Sequence, residues 1–516
     1  MSIIQTYEFW NYIVNESPIL LSRIKELLTF KEYDFDLKTY KFHPFYQITG
    51  KYFEDEIIRY PAGLTKYIQE NLGLEIEKKE KPFKIYTETE VRDLIKELPK
   101  INPRFEIRDY QIEAVLASLN NFSSLISATV GSGKTSIMSM VCKVLSDEYI
   151  LIMNGNNFIL QQIYDRLTSI GITDVSWNPS KDPDYTKRIV LINTKLSDSK
   201  LNSRDTDYIE FLNKINVLIW DEAHHVQALT SFEPIFYTDP DKLKHIIGYS
   251  GSPFRNPDKA YKNLEDFITI AILGEPAFTY NMIDTIADGN IAQPYSYFIN
   301  FPNKPGWVPT GMEDNYFMQY RSNIVYNKAR NKAGIAMLKF LNQNNIKTLA
   351  SFNNIKPGQN ILKELKAAGV DGLFICGDNT IYEWKTTKRG KLKLETRSGT
   401  TEDVREALHT GYNIIVGSSV LDEGVDLSEF QAVVLFSAGK TCISNIQRIG
   451  RASRKRIKGQ NVSLVIDFKD INGYYIFQDH YEKRKAMMKK CGVKNIENVQ
   501  DFMKLVEELG KDNTNN

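Results

Sequence analysis

The sequence predicts an α/β protein built from two parallel-sheet domains in tandem, with a small α+β domain ahead of them and helices behind. Three observations predict it. The chain has 516 residues, too many for one core; at roughly 100–200 residues per domain it should hold about three domains. Short apolar runs alternate with amphipathic stretches in two successive series, the signature of strands covered on both faces by helices. The composition, 42% hydrophobic and 25% charged, supplies enough material for packed cores and excludes a largely disordered chain.

In chain order, residues 1–98 are aromatic-rich (KTYKFHPFYQITGKYFEDEIIRYP) and predict the accessory α+β domain, with a helix over AGLTKYIQENLG and a charged linker near residues 78–103. Residues 99–285 form the first α/β domain, with strands at SSLISA, YILIM, RIVLI, INVLIW and HIIGYS and helices at TSIMSMVCKVLSDE and NNFILQQIYDRLTSIG. The proline- and glycine-bearing segment near residues 278–305 reads as the connection. Residues 286–475 form the second α/β domain, with strands at IKTLASF, DGLFICG, YNIIVGS, QAVVLFS and NVSLVIDF. Residues 476–516 predict two helices and a disordered polar tail, KDNTNN. There is no repeat of 20–50-residue period. Four scattered cysteines exclude a disulfide framework and a cysteine zinc site, and fit a reducing compartment. The N-terminus has no signal-peptide pattern and no apolar run approaches the roughly 20 residues that cross a bilayer, so a soluble, cytoplasmic protein without membrane contact is expected.

The strongest local signal is ATVGSGKTS at residues 128–136, between an apolar strand and a helix. Gly131, Ser132 and Gly133 let the backbone approach a phosphate, Lys134 reaches terminal phosphates, and the Thr135 hydroxyl suits Mg²⁺. Ala128 stands where the general pattern has its first glycine. Ninety residues on, NVLIWDEAHH brings two acids to the carboxyl end of a buried strand, the edge where α/β ligands bind. Asp221 suits Mg²⁺, partly through water, and Glu222 suits the general base for an attacking water. Together the motifs predict ATP and Mg²⁺ as cofactors.

With D-E-A-H at 221–224 behind a loop ending G-K-T, the chain resembles the superfamily two helicases and translocases of the DEAH/RecG/UvsW-like branch. That resemblance implies two RecA-like domains and further motifs in order. IRDYQIEAV matches the R-x-Y-Q element, implying that Gln111 reads the adenine edge and that Arg108 helps frame the base. GYSGSPFR stands for the family's G-L-S/T-A-T-P-x-R, with Gly251 for Ala and Ser252 for Thr; Ser250 and Ser252, with His224 and Arg448, would couple the ATP site to the nucleic-acid track. Gln161 and Thr194 fall where the first domain touches nucleic acid, although Asn154 and Gly155 replace the usual Pro and Thr. In the second domain VGSSVLDEGVDLSEFQ implies a backbone contact from Ser419 and a ribose contact from Asp426, and NIQRIGRASRKR matches Q-R-x-G-R-x-x-R. Arg451 and Arg454 would then be the arginine fingers that neutralise charge on the transferred phosphoryl group, with Gln447 and Arg448 beside the D-E-A-H element. An amphipathic basic helix explains Lys455 and Arg456 but not the Gln-Arg, Gly-Arg and Arg spacing.

IYEWKTTKRGKLKLETRSG reads as a two-stranded hairpin turning at Lys388–Arg389–Gly390. Lys388, Arg389 and Lys391, with Tyr382 and Trp384, are candidates to contact or wedge duplex by charge and stacking. A solvated hairpin without function is the plain alternative. The N-terminal stretch FHPFYQITGKYFEDEIIRYPAGLTKYIQENLG resembles, in spacing more than identity, the small accessory domain of UvsW-type phage recombination helicases, which favours DNA and, within it, forks, displaced loops and junctions.

The expected activity is therefore an ATP-dependent DNA helicase or translocase, monomeric by preference, in the host cytoplasm if phage-encoded. A duplex translocase that does not separate strands, an RNA helicase, and an ATP-gated nucleic-acid clamp stand as alternatives; a kinase leaves the arginine motif unexplained. The formal net charge of +1 is a sum of unlike regions: residues 440–490 carry thirteen Lys or Arg against four Asp or Glu, residues 1–98 fourteen against seventeen. A near-neutral total excludes only a static, charge-driven binder, and Lys483, Arg484, Lys485, Lys489 and Lys490 are candidates to face DNA.

Overall fold

A computed structural model of the chain describes every residue except 1, 6–8, 16–17, 35–38, 45–46, 53–54, 79–82, 180, 255–256, 302–307, 309, 313–314, 353–354, 377–379, 388, 399–402, 404–405, 407–410, 418–428, 438–452, 454–460, 472–474 and 515–516. It divides into two compact units, Met1–Ala128 with Gly133–Tyr280, and Thr129–Ser132 with Asn281–Asn516.

The first unit opens with strands β1 (Ser2–Gln5), β2 (Trp10–Asn15), β3 (Thr29–Asp34), β4 (Thr39–Pro44), β5 (Gln47–Tyr52), β6 (Asp55–Pro61) and β7 (Glu75–Lys78). Five form a sheet in the order β5-β6-β2-β1-β7, and β3 and β4 pair separately. With the helices Pro18–Leu27 and Thr65–Leu72 this is the α+β texture expected of the N-terminal residues. Its core does not close on itself: Ile13, Ile24, Tyr60, Leu64 and Ile68 pack in one cluster with Phe267, Ile270 and Ala271 of the helix Leu264–Leu273. That shared core makes one unit of the accessory residues and the first α/β domain.

The expected linker near residues 78–103 is corrected by the structure. It contains the helices Glu88–Ile95 and Leu98–Ile101, whose Val91, Ile95 and Leu98 are fully or almost fully buried in the α/β core. Charged neighbours hid this apolar stripe, and a boundary at 98/99 cuts off a helix that belongs to the domain behind it.

The first α/β sheet comprises β8 (Ser123–Ala128), β9 (Ile150–Asn154), β10 (Val175–Ser176), β11 (Ile189–Asn193), β12 (Val217–Asp221), β13 (His245–Ser250) and β14 (Pro276–Tyr280). All pairings are parallel, in the order β10-β11-β9-β12-β13-β8-β14. Successive side chains serve opposite faces, as the pleat requires. Ile150, Ile152, Val217 and Ile219 enter one core, and Leu151, Met153, Leu218 and Trp220 the other. Burial of each such aliphatic side chain stabilises the fold by about 1.5–3 kcal/mol before chain entropy is counted.

The second unit carries β15 (Gln293–Ile299), β16 (Thr348–Ser351), β17 (Leu373–Ile375), β18 (Thr380–Thr386), β19 (Leu392–Ser398), β20 (Ile414–Gly417), β21 (Ala432–Leu435), β22 (Val462–Phe468) and β23 (Lys494–Ile496), in the order β19-β18-β17-β20-β16-β21-β22-β15-β23. Only the β17–β18 and β18–β19 pairings are antiparallel. Both units therefore hold a RecA-like parallel-sheet domain, as the alternation of runs predicts. The two units part inside the segment near 278–305, where the sequence places the connection. That segment holds the end of β14, the capped helix Met282–Ala287 and β15, so the division at 285/286 falls inside a helix and the units part at Tyr280.

The helices Tyr475–Lys490 and Val499–Thr514 follow. The second corrects the expected disordered tail, since it takes in Lys511–Thr514. Phe502, Val506 and Leu509 anchor it in the second core, and Gly510 lies so close to Asn344 that an added Cβ would sit 2.4 Å from the Asn344 carbonyl oxygen. Among the described residues, no helix is long and apolar enough to cross a membrane.

Candidate nucleotide site and nucleic-acid interface

β8 ends at Ala128, and the loop that follows opens the helix Lys134–Val144 through Gly133 at its N-cap. Gly131 (φ 86°) and Gly133 (φ 79°) take the left-handed conformation that side-chained residues avoid. The loop curls on itself: the Ser132 amide and hydroxyl both donate to the Thr129 carbonyl, at 3.2 and 2.7 Å. Lys134 Nζ donates to the Ala128 carbonyl at 3.2 Å, and Thr135 opens the helix beside it. Gln111, almost wholly buried, lies so close to Gly133 that an added Cβ there would meet its Nε2 at 2.6 Å. Its Oε1 accepts from the Arg108 amide at 3.2 Å, and Arg108 Nη1 donates to the Tyr110 hydroxyl at 3.2 Å. Tyr110 stacks on Tyr280 with ring centroids 3.8 Å apart and planes 6° from parallel. Tyr280 was not singled out in the sequence; an aromatic ending a mixed-polarity edge strand was its only signal.

Because β13 runs between β8 and β12, the carboxyl edge sets Ser250 between the phosphate loop and the two acids. Asp221 closes β12 and Glu222 follows in the left-handed region (φ 54°, ψ 56°); each is 8% exposed. A buried, non-glycine residue held in that conformation is strained, and such strain gathers at functional positions. His224 Nδ1 lies 3.4 Å from Glu222 Oε2 and 3.1 Å from Ser250 Oγ, and Ser250 Oγ accepts the Ser252 amide at 3.2 Å. Glu222, His224, Ser250 and Ser252 are thus one connected chain. Asn154, which reads in the sequence only as a departure from Pro, donates from Nδ2 to the Asp221 carbonyl at 3.3 Å and reaches Asp221 Oδ2 at 3.5 Å. A lone polar residue ending the buried run ILIMN was the available signal.

Thr194 begins the helix Thr194–Asn202 behind β11, where the N-cap Asn193 also donates to the Gly155 carbonyl at 3.0 Å and to Asn157 Oδ1 at 2.7 Å. The loops after β9 and β11 therefore meet at the same edge. Gln161 is engaged within the domain: its Nε2 donates to Asp165 at 2.8 Å and its Oε1 accepts from the Trp177 indole at 3.0 Å.

The hairpin β18–β19 is present, with Arg389 and Lys391 exposed at its turn; Lys388 lies outside the described residues. Its aromatics, both half-buried, are engaged within the domain. Trp384 donates to the Gln359 carbonyl at 3.0 Å beneath Lys363, and Tyr382 packs on Phe374, so both fix the hairpin to its domain. Lys385 pairs with Glu395 at 2.8 Å across the strands. Arg484 is a further correction. It is buried and donates to Asp467 (2.7 Å) and Asp470 (3.2 Å), while Arg330, also buried, donates to Asp470 (2.9 Å) and the Phe436 carbonyl (2.6 Å). Burial opposes the charge on Arg484, but the two aspartates raise its pKa above the ordinary arginine value. This neutral cluster of two arginines and two aspartates holds the second domain together and faces no DNA. Ser419, Asp426, Gln447, Arg448, Arg451 and Arg454 lie outside the described residues.

Comparison with known proteins gives two family matches. Residues 104–255 match the model described as Type III restriction enzyme, res subunit, and residues 383–456 match the helicase conserved C-terminal domain. A protein of Sulfolobus islandicus filamentous virus (isolate Iceland/Hveragerdi) carrying the provisional name helicase 22 is 25% identical over 497 residues, 88% of this chain and 77% of its own. The DNA 3'-5' translocase XPB2 of Sulfurisphaera tokodaii is 24% identical over 383 residues, 70% of this chain and 81% of its own. Among solved structures, the DUF1998 helicase MrfA bound to DNA shares the fold at a TM-score of 0.52 and 16% identity, covering 84% of this chain and 54% of that one. S. cerevisiae Dbp5 bound to RNA and ADP BeF3 shares it at 0.52 and 14%, covering 81% and 97%. The two matched models, one on each sheet domain, and these relatives support a superfamily two helicase core that uses ATP and acts on nucleic acid.

Proposed function

We propose that the chain is an ATP-dependent DNA helicase or translocase of the DEAH/RecG/UvsW-like branch that unwinds or branch-migrates forked, displaced-loop or junction DNA. The observation that carries this reading is the connected chain Glu222–His224–Ser250–Ser252 on the strand edge beside the phosphate loop. The donor set fits a magnesium nucleotide: two left-handed glycines and helix amides for phosphates, a hydroxyl and a buried carboxylate for the ion. Bound MgATP supplies a phosphoryl group for transfer to water.

The chain's residues then divide the work. Lys134 and the loop amides hold negative charge, Thr135 and Asp221 hold the ion, and Asn154 fixes Asp221 from behind. Glu222 accepts the proton of the attacking water. Arg108 and Gln111, with Tyr110 on Tyr280, frame the base, and Asp426 takes the ribose. Arg451 and Arg454 neutralise charge on the transferred group, with Gln447 acting beside them and Arg448 coupling this motif to the D-E-A-H element. His224, Ser250 and Ser252 pass the state of Glu222 along β13. Thr194 and Ser419 hold the nucleic-acid backbone, Gln161 buttresses Trp177, and Lys388, Arg389 and Lys391 meet duplex at the hairpin tip. The relation to XPB2, named as a DNA translocase, supports DNA over RNA. The test is Glu222→Gln: it should bind ATP and DNA yet move neither strand nor branch, and full strand displacement by this variant would refute a motor.

A further inference from the structure

Residues 315–363 hold eight Lys or Arg and no Asp or Glu, the longest one-signed stretch around the second sheet. At its start, the helix Tyr316–Tyr320 runs into a π-helical turn, Arg321–Val325, closed by the Tyr326 amide donating to the Arg321 carbonyl at 2.8 Å. π-turns inside helices recur at functional sites. Here the α-helical turn sets Phe317 four residues before Arg321 and the π-turn sets Tyr326 five after it. The Arg321 guanidinium lies 5.6 Å from the Phe317 ring centroid and 5.4 Å from that of Tyr326. Both rings face solvent, Phe317 62% and Tyr326 48% exposed. The next residue, Asn327, caps the helix Lys328–Gln343, and Arg330 in its first turn bonds the Phe436 carbonyl just past β21 and Asp470 just past β22. The rings therefore stand at the carboxyl edge of the second sheet, the edge at which β20 ends.

We infer that Phe317, Arg321 and Tyr326 form a stacking platform for unpaired nucleobases of a DNA strand running along this edge. Two exposed rings beside one guanidinium offer faces on which bases can stack, and every base has a face to offer. A guanidinium beside both rings adds cation–π attraction and a phosphate partner, and the exposed Lys328 and Lys332 of the helix that follows add positive charge complementary to a polyanion. The inference rests on the nucleic-acid reading proposed above.

The probe is a fluorescent oligothymidylate beside a base-free abasic strand of the same length, bound to the full chain at fixed salt. Wild type should prefer the strand with bases by about tenfold, the scale of one lost stack. Phe317→Ala combined with Tyr326→Ala should bring the two strands to parity while leaving the thermal unfolding midpoint unchanged; Phe317→Tyr combined with Tyr326→Phe should keep the preference. A double alanine variant that folds and retains the full preference overturns the platform and leaves the helicase reading standing. Wild type binding neither strand overturns both. Loss of self-association in the variant with the preference for bases intact would assign the rings to a second copy of this chain and overturn the inference.

Discussion

Glu222 holds a backbone conformation that costs a side-chained residue about 1–3 kcal/mol, and it does so buried beside His224 and Asp221. Two substitutions should separate its roles. Glu222→Gln keeps the shape and removes the base, so kcat for ATP should fall at least about 100-fold with ATP affinity kept; Glu222→Gly relieves the strain and should unfold no earlier than wild type while being as inactive. Asn154→Ala withdraws the donor from Asp221 and should weaken the Mg²⁺ dependence of hydrolysis several-fold before it touches stability, read from a magnesium titration. In the second domain, Asp470→Ala leaves two buried guanidinium groups short of a partner and should cost about 3–5 kcal/mol in denaturant unfolding. The chemistry of the acids was legible from D-E-A-H at a strand end. The support was not: Arg484 sits between Lys483 and Lys485, which advertise a surface, and its partners Asp467 and Asp470 lie in and just past a strand that reads as apolar.

At the scale of elements, the helix Glu88–Ile95 shows why a segment that reads as a charged linker folds. Thr87 and Glu90 cap each other's backbone, and Val91 and Ile95 face the core. The backbone hydrogen bond from Thr87, then Lys84, pull the Glu90 carboxyl from its ordinary 4.5 down to about 2. A carboxyl lowered in the folded state contributes stability above its unfolded value and loses it as pH falls through its folded one. Glu90→Gln should therefore destabilise the protein at neutral pH and flatten the acid dependence of its unfolding between pH 4.5 and 2. The hairpin was visible in the sequence because its alternation and Gly390 turn are local. β14 was not, since PAFTY pairs along one side only and half of it faces solvent. Exposed at its tip, the hairpin makes its own prediction: Lys388, Arg389 and Lys391 changed together to Ala should lower strand separation more than ATP hydrolysis, both measured on one forked duplex.

For the molecule as a whole, the alternation of apolar runs carried both RecA-like sheets, because parallel strands buried on two faces leave an unmistakable pattern. The division of the chain was less legible: shared cores, such as Phe267 and Ile270 against Ile68, depend on contacts two hundred residues apart. The +1 net charge resolves into residues 1–98 with more acids than bases and a second domain with an acid-free run from 315 to 363, which suits the proposed local grip on a polyanion. Whether it moves along that polyanion is the central claim. The most direct measurement sets ATP hydrolysis and strand displacement side by side on single strands, plain duplex, forks and four-way junctions, in DNA and RNA, for wild type and Glu222→Gln. The account predicts that DNA stimulates hydrolysis, that wild type displaces strands or migrates the branch on forks and junctions, and that Glu222→Gln binds without moving. Stimulation by RNA alone, or undiminished displacement by Glu222→Gln, would contradict it.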